Sequence, residues 1–322
     1  MPQTYDFRYT QIADDLAQLS EMDSVGNAVH MYVAGRKGSA MLIDNGFPNF
    51  GPQVIAALEK AGWTAGDFRY LLLTHEHWDH YGATAELRTW AKDAKVVSHI
   101  YCGWVLSQRW TRFIEPGWHP ADSGFQYGEP SRENFARFES NQPPPTKIDQ
   151  IIWNEQTLEV GGAAWRIWHV PGHCQGQILL YREGDKATIV GDLIQGCTES
   201  GRWLGLLTDV RSQRENLQKL KDLKPSLVAM GHHSILRGAA INTEIDCALG
   251  RIDAIMDVVR KGLKAGANKP DRLAMLACKQ ILDWQPDEAP WQMIVTMKAV
   301  LAQLCQEGLA RLVRTDEWQW AR

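Results

Sequence analysis

The stretch Tyr70-Leu71-Leu72-Leu73-Thr74-His75-Glu76-His77-Trp78-Asp79-His80 decides the fold. Its first four residues form an apolar run, which predicts a short buried strand. Three histidines and an aspartate follow within six residues, and imidazole and carboxylate are the ligands that a divalent metal such as Zn²⁺ binds. We expect the loop after this strand to turn His75, His77, Asp79 and His80 toward one metal centre. The alternative interpretation is a solvated histidine-rich turn.

Three later segments share another order, in which an apolar strand is followed by a glycine and then by a candidate ligand. Gly172 precedes His173, Gly191 precedes Asp192, and Gly231 precedes His232. The Pro171-Gly172 pair favours a turn that presents the next side chain. Each segment is a weak signal alone, but all of them follow a predicted strand, which indicates a shared site.

The order of these motifs resembles the metallo-β-lactamase superfamily over roughly residues 25–240, and Asp44 matches the family's first motif. The resemblance implies an α/β (α+β) fold, a four-layer αβ/βα sandwich with the site at one edge of two sheets. It also implies two metal positions that share Asp192. One takes His75, His77 and His173, and the other takes Asp79, His80 and His232. This ligand set is more similar to the glyoxalase II and lactonase branches than to true β-lactamases.

The chain departs from the family pattern after the fourth motif histidine. Relatives often read Pro-Gly-His-Ser/Thr-x-Gly-His, and here residues 171–177 read Pro-Gly-His-Cys-Gln-Gly-Gln. Gln177 replaces a histidine that is usually not a ligand, so the ligand set is kept while its supporting contacts are expected to differ. Cys174 is expected to be a small buried thiol, with a soft metal ligand as the alternative. His169 and His233 are interpreted as packing or supporting residues.

The expected chemistry is metal-dependent hydrolysis with two divalent ions, zinc first and iron or manganese as alternatives. A water shared by two such ions loses a proton near neutral pH, and the bridging hydroxide attacks an electrophilic carbonyl. The expected substrate is a thioester, ester or lactone, and the aromatic residues of the 100–148 segment suggest that its acyl group is small and apolar. Asp79 and Asp192 are the expected catalytic residues. Three alternatives stay open: a phosphodiesterase, a mononuclear iron dioxygenase on His75, His173 and Asp192, and a non-catalytic ligand-binding regulator.

Residues 100–148 interrupt the regular pattern of strands and helices and are rich in aromatic side chains. In the family the equivalent segment commonly caps the active site, so this segment is the candidate for substrate selection. The candidate pocket residues are Trp104, Trp110, Phe113, Trp118 and His119. The alternative is that these aromatic side chains only pack the cap onto the core.

Residues 246–322 are expected to be a helical region that is appended to a catalytic domain of residues 1–245. Three helical patterns are followed by a predicted hairpin of residues 309–314 and 317–320, which resembles a winged-helix tail. Winged helices often bind DNA, but basic residues are not concentrated on the second and third predicted helices. A structural or dimerisation role is therefore favoured, with a homodimer as one outcome.

The bulk composition is that of an ordinary globular protein, with 322 residues, 44% hydrophobic residues and a net charge of −4. A charge this small gives no global attraction to nucleic acid or anionic lipid, which favours a small-molecule substrate.

The polar segment of residues 1–8 does not resemble a secretory signal, and no apolar run is long enough to predict a membrane span. The six cysteines form no C-x-x-C pair, so we expect unpaired thiols in a reducing cytoplasm.

Overall fold

The computed structural model of the chain describes residues 7–21, 29–107, 143–199, 204–314 and 317–321. Within these ranges, two large sheets stand between layers of helices, and a short two-stranded sheet lies near the C-terminal end of the chain.

The first sheet has seven strands that lie side by side in chain order. The first four strands pair antiparallel, and the fourth to the seventh pair parallel. Parallel neighbours need long crossovers, and helices supply them here. The strands are β1 (Phe7–Ala13), β2 (Leu16–Glu21), β3 (His30–Arg36), β4 (Ser39–Ile43), β5 (Phe68–Leu72), β6 (Lys95–His99) and β7 (Gln150–Ile152). The helices are α1 (Gly51–Lys60), α2 (Trp78–Tyr81), α3 (Thr84–Trp90) and α4 (Ile100–Ser107), with a 3₁₀ turn at Ala65–Asp67.

The second sheet has six strands, which also follow the chain order. All of its pairs are antiparallel except that of its fourth and fifth strands in chain order, which a helix connects. The strands are β8 (Glu155–Val160), β9 (Ala163–His169), β10 (Ile178–Arg182), β11 (Ala187–Gly191), β12 (Leu227–Met230) and β13 (Leu236–Arg237), and α5 is Val210–Leu223.

The C-terminal part consists of three helices and a hairpin, as the sequence predicts. They are α6 (Ala239–Lys264), α7 (Pro270–Leu282), α8 (Trp291–Gln306), β14 (Ala310–Arg314) and β15 (Glu317–Trp320). Apolar side chains of these helices join those of α5 in one buried cluster on the outer face of the second sheet. Helix α6 runs without a break past residue 245. The division of the chain at that residue stays a prediction.

The buried clusters define four layers. Side chains of both sheets fill the space between them, with Tyr32 and Met41 from the first sheet against Trp165 and Ile189 from the second. Helices α1, α3 and α4 cover the outer face of the first sheet, and α5 to α8 cover that of the second. This arrangement confirms the predicted mixed α/β sandwich with a helical C-terminal part. None of the helices within the described ranges is long and apolar enough to cross a bilayer.

One sequence prediction is wrong: the six cysteines are not all thiols. Cys197 and Cys247 form a disulfide that joins the loop after β11 to α6. The partners are 50 residues apart on different elements, so their spacing in the sequence gives no sign of the pairing. The other four, Cys102, Cys174, Cys278 and Cys305, form no disulfide.

Candidate metal centre

The seven candidate ligands come together at one edge of the sandwich, where strands β5, β9, β11 and β12 end. The possible ligand atoms of these seven residues and of Cys174 form three overlapping groups, and within each group the atoms lie within 4.8 Å of one another. The groups are His75, His77, His173 and Cys174; His75, His80 and Asp192; and Asp79, His80 and His232. Residues that the sequence places up to 157 positions apart, from 75 to 232, therefore share one small volume.

The carboxylate of Asp192 occupies the middle of this cluster. Its Oδ2 lies 3.2 Å from Nε2 of His232, 3.5 Å from Nε2 of His173 and 3.9 Å from Nε2 of His75. Its Oδ1 lies 3.6 Å from Nε2 of His80. The carboxylate thus faces histidines from both of the ligand sets that the family resemblance implies.

Hydrogen bonds from the protein determine which imidazole nitrogens face the centre. Nδ1 of His80 lies 2.8 Å from Oδ2 of Asp44, and Nδ1 of His173 lies 2.8 Å from the carbonyl oxygen of Leu206. Since a carboxylate or carbonyl oxygen can only accept here, each Nδ1 carries a proton, and each Nε2 is the ring nitrogen that faces the centre. Nε2 of His80 lies 3.2 Å from Nε2 of His232, and Nε2 of His173 lies 2.9 Å from Nδ1 of His77.

Three hydrogen bonds tie the two sheets together beside the site. The N–H of Ile178 donates to the carbonyl of Thr74 at 2.8 Å, and the N–H of His30 donates to the carbonyl of Gly231 at 2.7 Å. The buried hydroxyl of Tyr32 donates to the carbonyl of Met230 at 2.5 Å. Ligand loops from opposite sheets are therefore held in a fixed relation.

The glycine before each later ligand has a steric reason, and at Gly172 a Cβ would lie 2.6 Å from Cα of Gln213. A Cβ on Gly231 would overlap Oδ1 of Asp192 and lie 2.7 Å from Cε1 of His80. A Cβ on Gly191 would lie 2.6 Å from Nε2 of Gln177, and its φ of +51° lies in the left-handed region. At Gly231 the backbone approaches the ligands themselves, and at Gly191 it approaches residues beside them, too closely for a side chain.

Burial and mutual charge determine the protonation of the cluster. Burial, together with the neighbouring histidines, holds the pKa of His75 and His77 well below the usual value. Burial opposes ionisation of Asp192, but His232 and His80 outweigh it and hold the pKa of Asp192 well below its usual range. Burial also opposes protonation of His80 and His232, but Asp192 and Asp79 outweigh it and hold the pKa of both histidines above the usual value. Neutral imidazole and ionised carboxylate are the forms that bind a metal, so these two histidines would each release a proton when a cation binds.

The residues present fit a divalent cation. Nε2 of His75 is buried and has no hydrogen-bond partner among the residues that the structure describes, although a buried polar atom is normally paired. This nitrogen points into a cluster of imidazoles and carboxylates, the donor set of a zinc-type site. A bound cation would satisfy it.

The remaining motif residues take supporting positions. His233 faces Glu199, with Nδ1 3.5 Å from Oε2, while its neighbour His232 faces the centre. Gln177 is fully buried and donates from Nε2 to the carbonyls of Ile178 and Val190 at 2.8 and 3.0 Å. These hydrogen bonds support the backbone at the position where the family resemblance leads us to expect a histidine.

The predicted substrate-pocket residues stay a prediction. Trp104 lies on α4 and is 40% exposed. The other four, Trp110, Phe113, Trp118 and His119, lie outside the described residues.

Sequence reasoning missed Glu76, a buried carboxylate between two ligands, and the backbone carbonyl of Leu206. An acidic residue between two ligand histidines was a usable signal for Glu76, whereas a backbone carbonyl leaves no signal in a sequence.

Comparison with known proteins matches the chain to one family model and to several curated relatives. Residues 25–232 match the family model described as the metallo-beta-lactamase superfamily. The chain is 21% identical over 289 residues to a beta-lactamase-like protein 2 homolog of Caenorhabditis elegans, covering 90% of this chain and 82% of the relative. It is 26% identical over 238 residues to a hydroxyacylglutathione hydrolase of Cereibacter sphaeroides, covering 73% and 71%.

A solved structure shows the same fold over nearly the whole chain. A metallo-beta-lactamase family protein from Thermus thermophilus superposes with a TM-score of 0.75 at 19% identity. The superposition covers 96% of this chain and 100% of that one, so it includes the C-terminal helices.

Proposed function

Because the chain belongs to the metallo-β-lactamase superfamily, we propose that it is a binuclear metallo-hydrolase that cleaves a thioester, ester or lactone of a small acyl substrate. The observation that carries the proposal is the central position of Asp192, whose carboxylate faces His75 and His173 on one side and His80 and His232 on the other. A carboxylate in that position suits a ligand shared by two cations.

In the proposed centre, each cation has its own set of side chains. His75, His77 and His173 hold one, Asp79, His80 and His232 hold the other, and Asp192 belongs to both. We propose zinc as the native metal, with iron or manganese as alternatives, because imidazole and carboxylate donors suit all three. When bound, two such cations lower the pKa of a shared water and polarise a substrate carbonyl.

The chain's own residues supply orientation and proton transfer. Asp79 is the more exposed of the two carboxylates, with 18% of its side chain accessible against 8% for Asp192. Burial opposes its ionisation, but His80 and His232 hold the pKa of Asp79 below the usual range, so it is ionised at neutral pH. We propose that Asp79 accepts a proton from the attacking water and passes it toward the leaving group, while Asp192 fixes the geometry.

The substrate class is proposed from the relatives and from the site's surroundings. One relative is named as a hydrolase of hydroxyacylglutathione, an acyl derivative of a small thiol peptide. Trp78 lies between His77 and Asp79 in sequence, is 38% exposed, and packs its ring edge-on against Phe47 at 5.1 Å between ring centroids. An exposed indole beside the ligands can contact an apolar acyl group.

Metal analysis and a substrate panel test the proposal together. Elemental analysis of the purified protein should give about two divalent ions per chain. A chelator should abolish hydrolysis, and added zinc should restore it. The panel contains a glutathione thioester, a lactone, a carboxylic ester and a phosphodiester, and we expect turnover of one of the first three. One iron per chain with oxygen consumption would contradict the proposal, as would phosphodiester cleavage alone.

Two carboxylate variants separate a role in the centre from general damage. Asp192→Asn should reduce the metal content and lower kcat/KM by at least about a thousandfold. A ligand shared by both cations positions them to stabilise the charge that develops in the transition state. Asp246→Asn changes an exposed carboxylate of α6 that pairs with Lys221 of α5, and it should leave both quantities unchanged. Full activity in Asp192→Asn would refute the mechanism.

We also propose a structural or dimerisation role for the C-terminal helices and hairpin rather than DNA binding. Their apolar side chains pack on α5 and the second sheet, as in an integral layer of the fold. Measurement of the mass in solution distinguishes a dimer from a monomer.

A further inference from the structure

The peptide group between Gln175 and Gly176 is held on both of its edges. On one edge, Nε2 of His169 lies 2.7 Å from the carbonyl oxygen of Gln175. On the other edge, the N–H of Gly176 donates to the two carboxylate oxygens of Glu76 at 2.8 and 3.0 Å. This peptide group follows His173 closely in the chain, so its position affects that ligand.

Glu76 is well placed to fix this loop. Its side chain is buried, at 2% exposure, and it lies between His75 and His77 in the first ligand segment. Burial raises the pKa of Glu76, while the N–H of Gly176, the thiol of Cys174 and the N–H of Gln175 favour its ionised form. A buried carboxylate is costly unless it is hydrogen-bonded, so this set of donors strongly favours one arrangement of the loop.

The glycine at position 176 is part of the same arrangement. A Cβ on Gly176 would overlap Oε2 of Glu76 and would lie 2.9 Å from the backbone nitrogen of Cys102. Only a residue without a side chain lets the backbone come this close to the carboxylate. The contact thus depends on close approach between two loops that arise from different sheets.

His169 fixes the other edge because its own ring is fixed. It stacks on His99, with ring centroids 3.8 Å apart and planes inclined by 11°. His99 is in turn anchored through Nε2, which lies 2.8 Å from the carbonyl oxygen of Trp153. Since a carbonyl can only accept, Nε2 of His169 carries the proton that bonds Gln175.

We propose that Glu76 and His169 are positioning residues, which hold His173 in place for the cation shared with His75 and His77 by clamping the Gln175–Gly176 peptide. Glu76 belongs to the segment that carries His75 and His77, so the clamp ties this pair to the third ligand. The inference rests on the proposed binuclear centre. Loss of either clamp residue should lower the affinity of that one cation position and leave the other unchanged.

The test is a titration of the metal-free full-length chain with zinc against a competing chelator. His173→Ala identifies which of the two binding steps belongs to this position. Glu76→Gln replaces one of the two carboxylate oxygens that accept the N–H of Gly176 with an NH2 group, which cannot accept a hydrogen bond. His169→Phe keeps an aromatic ring but removes the N–H donor. Each should weaken that step by about 10- to 100-fold, the usual effect of losing a partner that orients a ligand. The other step should keep its wild-type constant.

Two matched variants exclude a merely structural effect. Glu86→Gln changes a glutamate that accepts the N–H of Gly51 at 2.8 Å, and that glycine also has no room for a Cβ against Glu86. It should leave both zinc constants unchanged. His169→Gln restores an N–H at the distance of Nε2 and should recover most of the lost affinity. The melting temperature of each metal-free variant is also measured. Across the variants, the change in melting temperature should not correlate with the change in zinc affinity.

Each result has a definite meaning. Wild-type constants in both Glu76→Gln and His169→Phe would overturn this inference while leaving the proposed function intact. An equal loss in Glu86→Gln, or no recovery in His169→Gln, would also overturn it. A wild-type protein that binds no pair of cations would overturn the proposed function and this inference with it.

Discussion

Oδ2 of Asp44 lies 2.8 Å from Nδ1 of His80, so a carboxylate from the end of β4 orients a ligand that follows β5. The same carboxylate accepts the backbone N–H of Thr74 at 2.7 Å and its hydroxyl at 2.8 Å. Asp44 itself has a φ of +59°, a left-handed conformation that aspartate adopts more readily than most residues. One acidic residue therefore fixes both the start and the end of the histidine-rich loop.

Asp44→Asn should weaken binding of the cation that we assign to Asp79, His80 and His232. The amide offers a weaker acceptor to Nδ1 of His80, and we expect a loss of about 10- to 100-fold in affinity. A zinc titration measures it. Asp67→Asn serves as the control, since Asp67 also accepts backbone N–H groups, those of Gly38 and Thr64, at 2.8 Å each. Equal zinc constants in Asp44→Asn and the wild type would contradict this role.

Gly231→Ala should damage the centre although position 231 contributes no ligand. The added methyl would overlap Oδ1 of Asp192, and overpacking of this kind typically costs about 1–3 kcal/mol of unfolding free energy. Zinc content and urea unfolding measure the two effects. Gly250→Ala on α6 meets nothing within 4 Å and should stabilise the protein by up to about 1 kcal/mol. The prediction fails if Gly231→Ala retains wild-type stability and metal content.

The disulfide between Cys197 and Cys247 should stabilise the oxidised protein by about 2–4 kcal/mol, because it restricts the unfolded chain. The double variant Cys197→Ser/Cys247→Ser should be less stable than the wild type in urea without reductant. With reductant, the two proteins should unfold alike. Titration under denaturing conditions should find four reactive thiols in the oxidised wild type, the number of cysteines outside the disulfide. Six thiols before reduction would refute the bond.

Stability of the metal-free protein should fall as the pH decreases from about 6.5 toward 4. Burial, with help from the stacked ring of His169, lowers the pKa of His99 to about 4. In this window the unfolded chain binds a proton at His99 that the folded chain does not, so acid favours unfolding. The loss is at most about 1.4 kcal/mol per pH unit for one histidine. Urea unfolding across this window should show a shallower pH dependence in His99→Gln, and an unchanged slope would contradict the prediction.

The sequence predicts those parts of the fold whose signal is local. Strand β5 is a short apolar run with ligands directly after it, and the C-terminal helices have clear apolar periodicity. Strands β1 and β2 are not predicted, because the alternation of exposed and buried positions in β1 breaks where the neighbours Thr10 and Gln11 are both exposed. β1 and β2 form a hairpin across residues 14–15, and this turn lacks the glycine that usually marks a two-residue hairpin turn in a sequence.

The same distinction applies to the candidate centre. All seven proposed ligands come from motifs that could be read in the sequence, and the structure brings them into one cluster. The groups that orient them were harder to predict, since Leu206 acts through its backbone and Glu76 acts on a loop 100 residues away. Contacts of this kind depend on how the two sheets meet.

The ligand segments are divided between the sheets: the first contributes Asp44 and residues 75–80, and the second contributes His173, Asp192 and His232. Neither half of the sandwich can assemble a complete centre by itself. Cation uptake would therefore report on correct docking of the two halves. A molecule whose halves are misassembled would lack a complete centre and would have no hydrolytic activity, rather than an altered one.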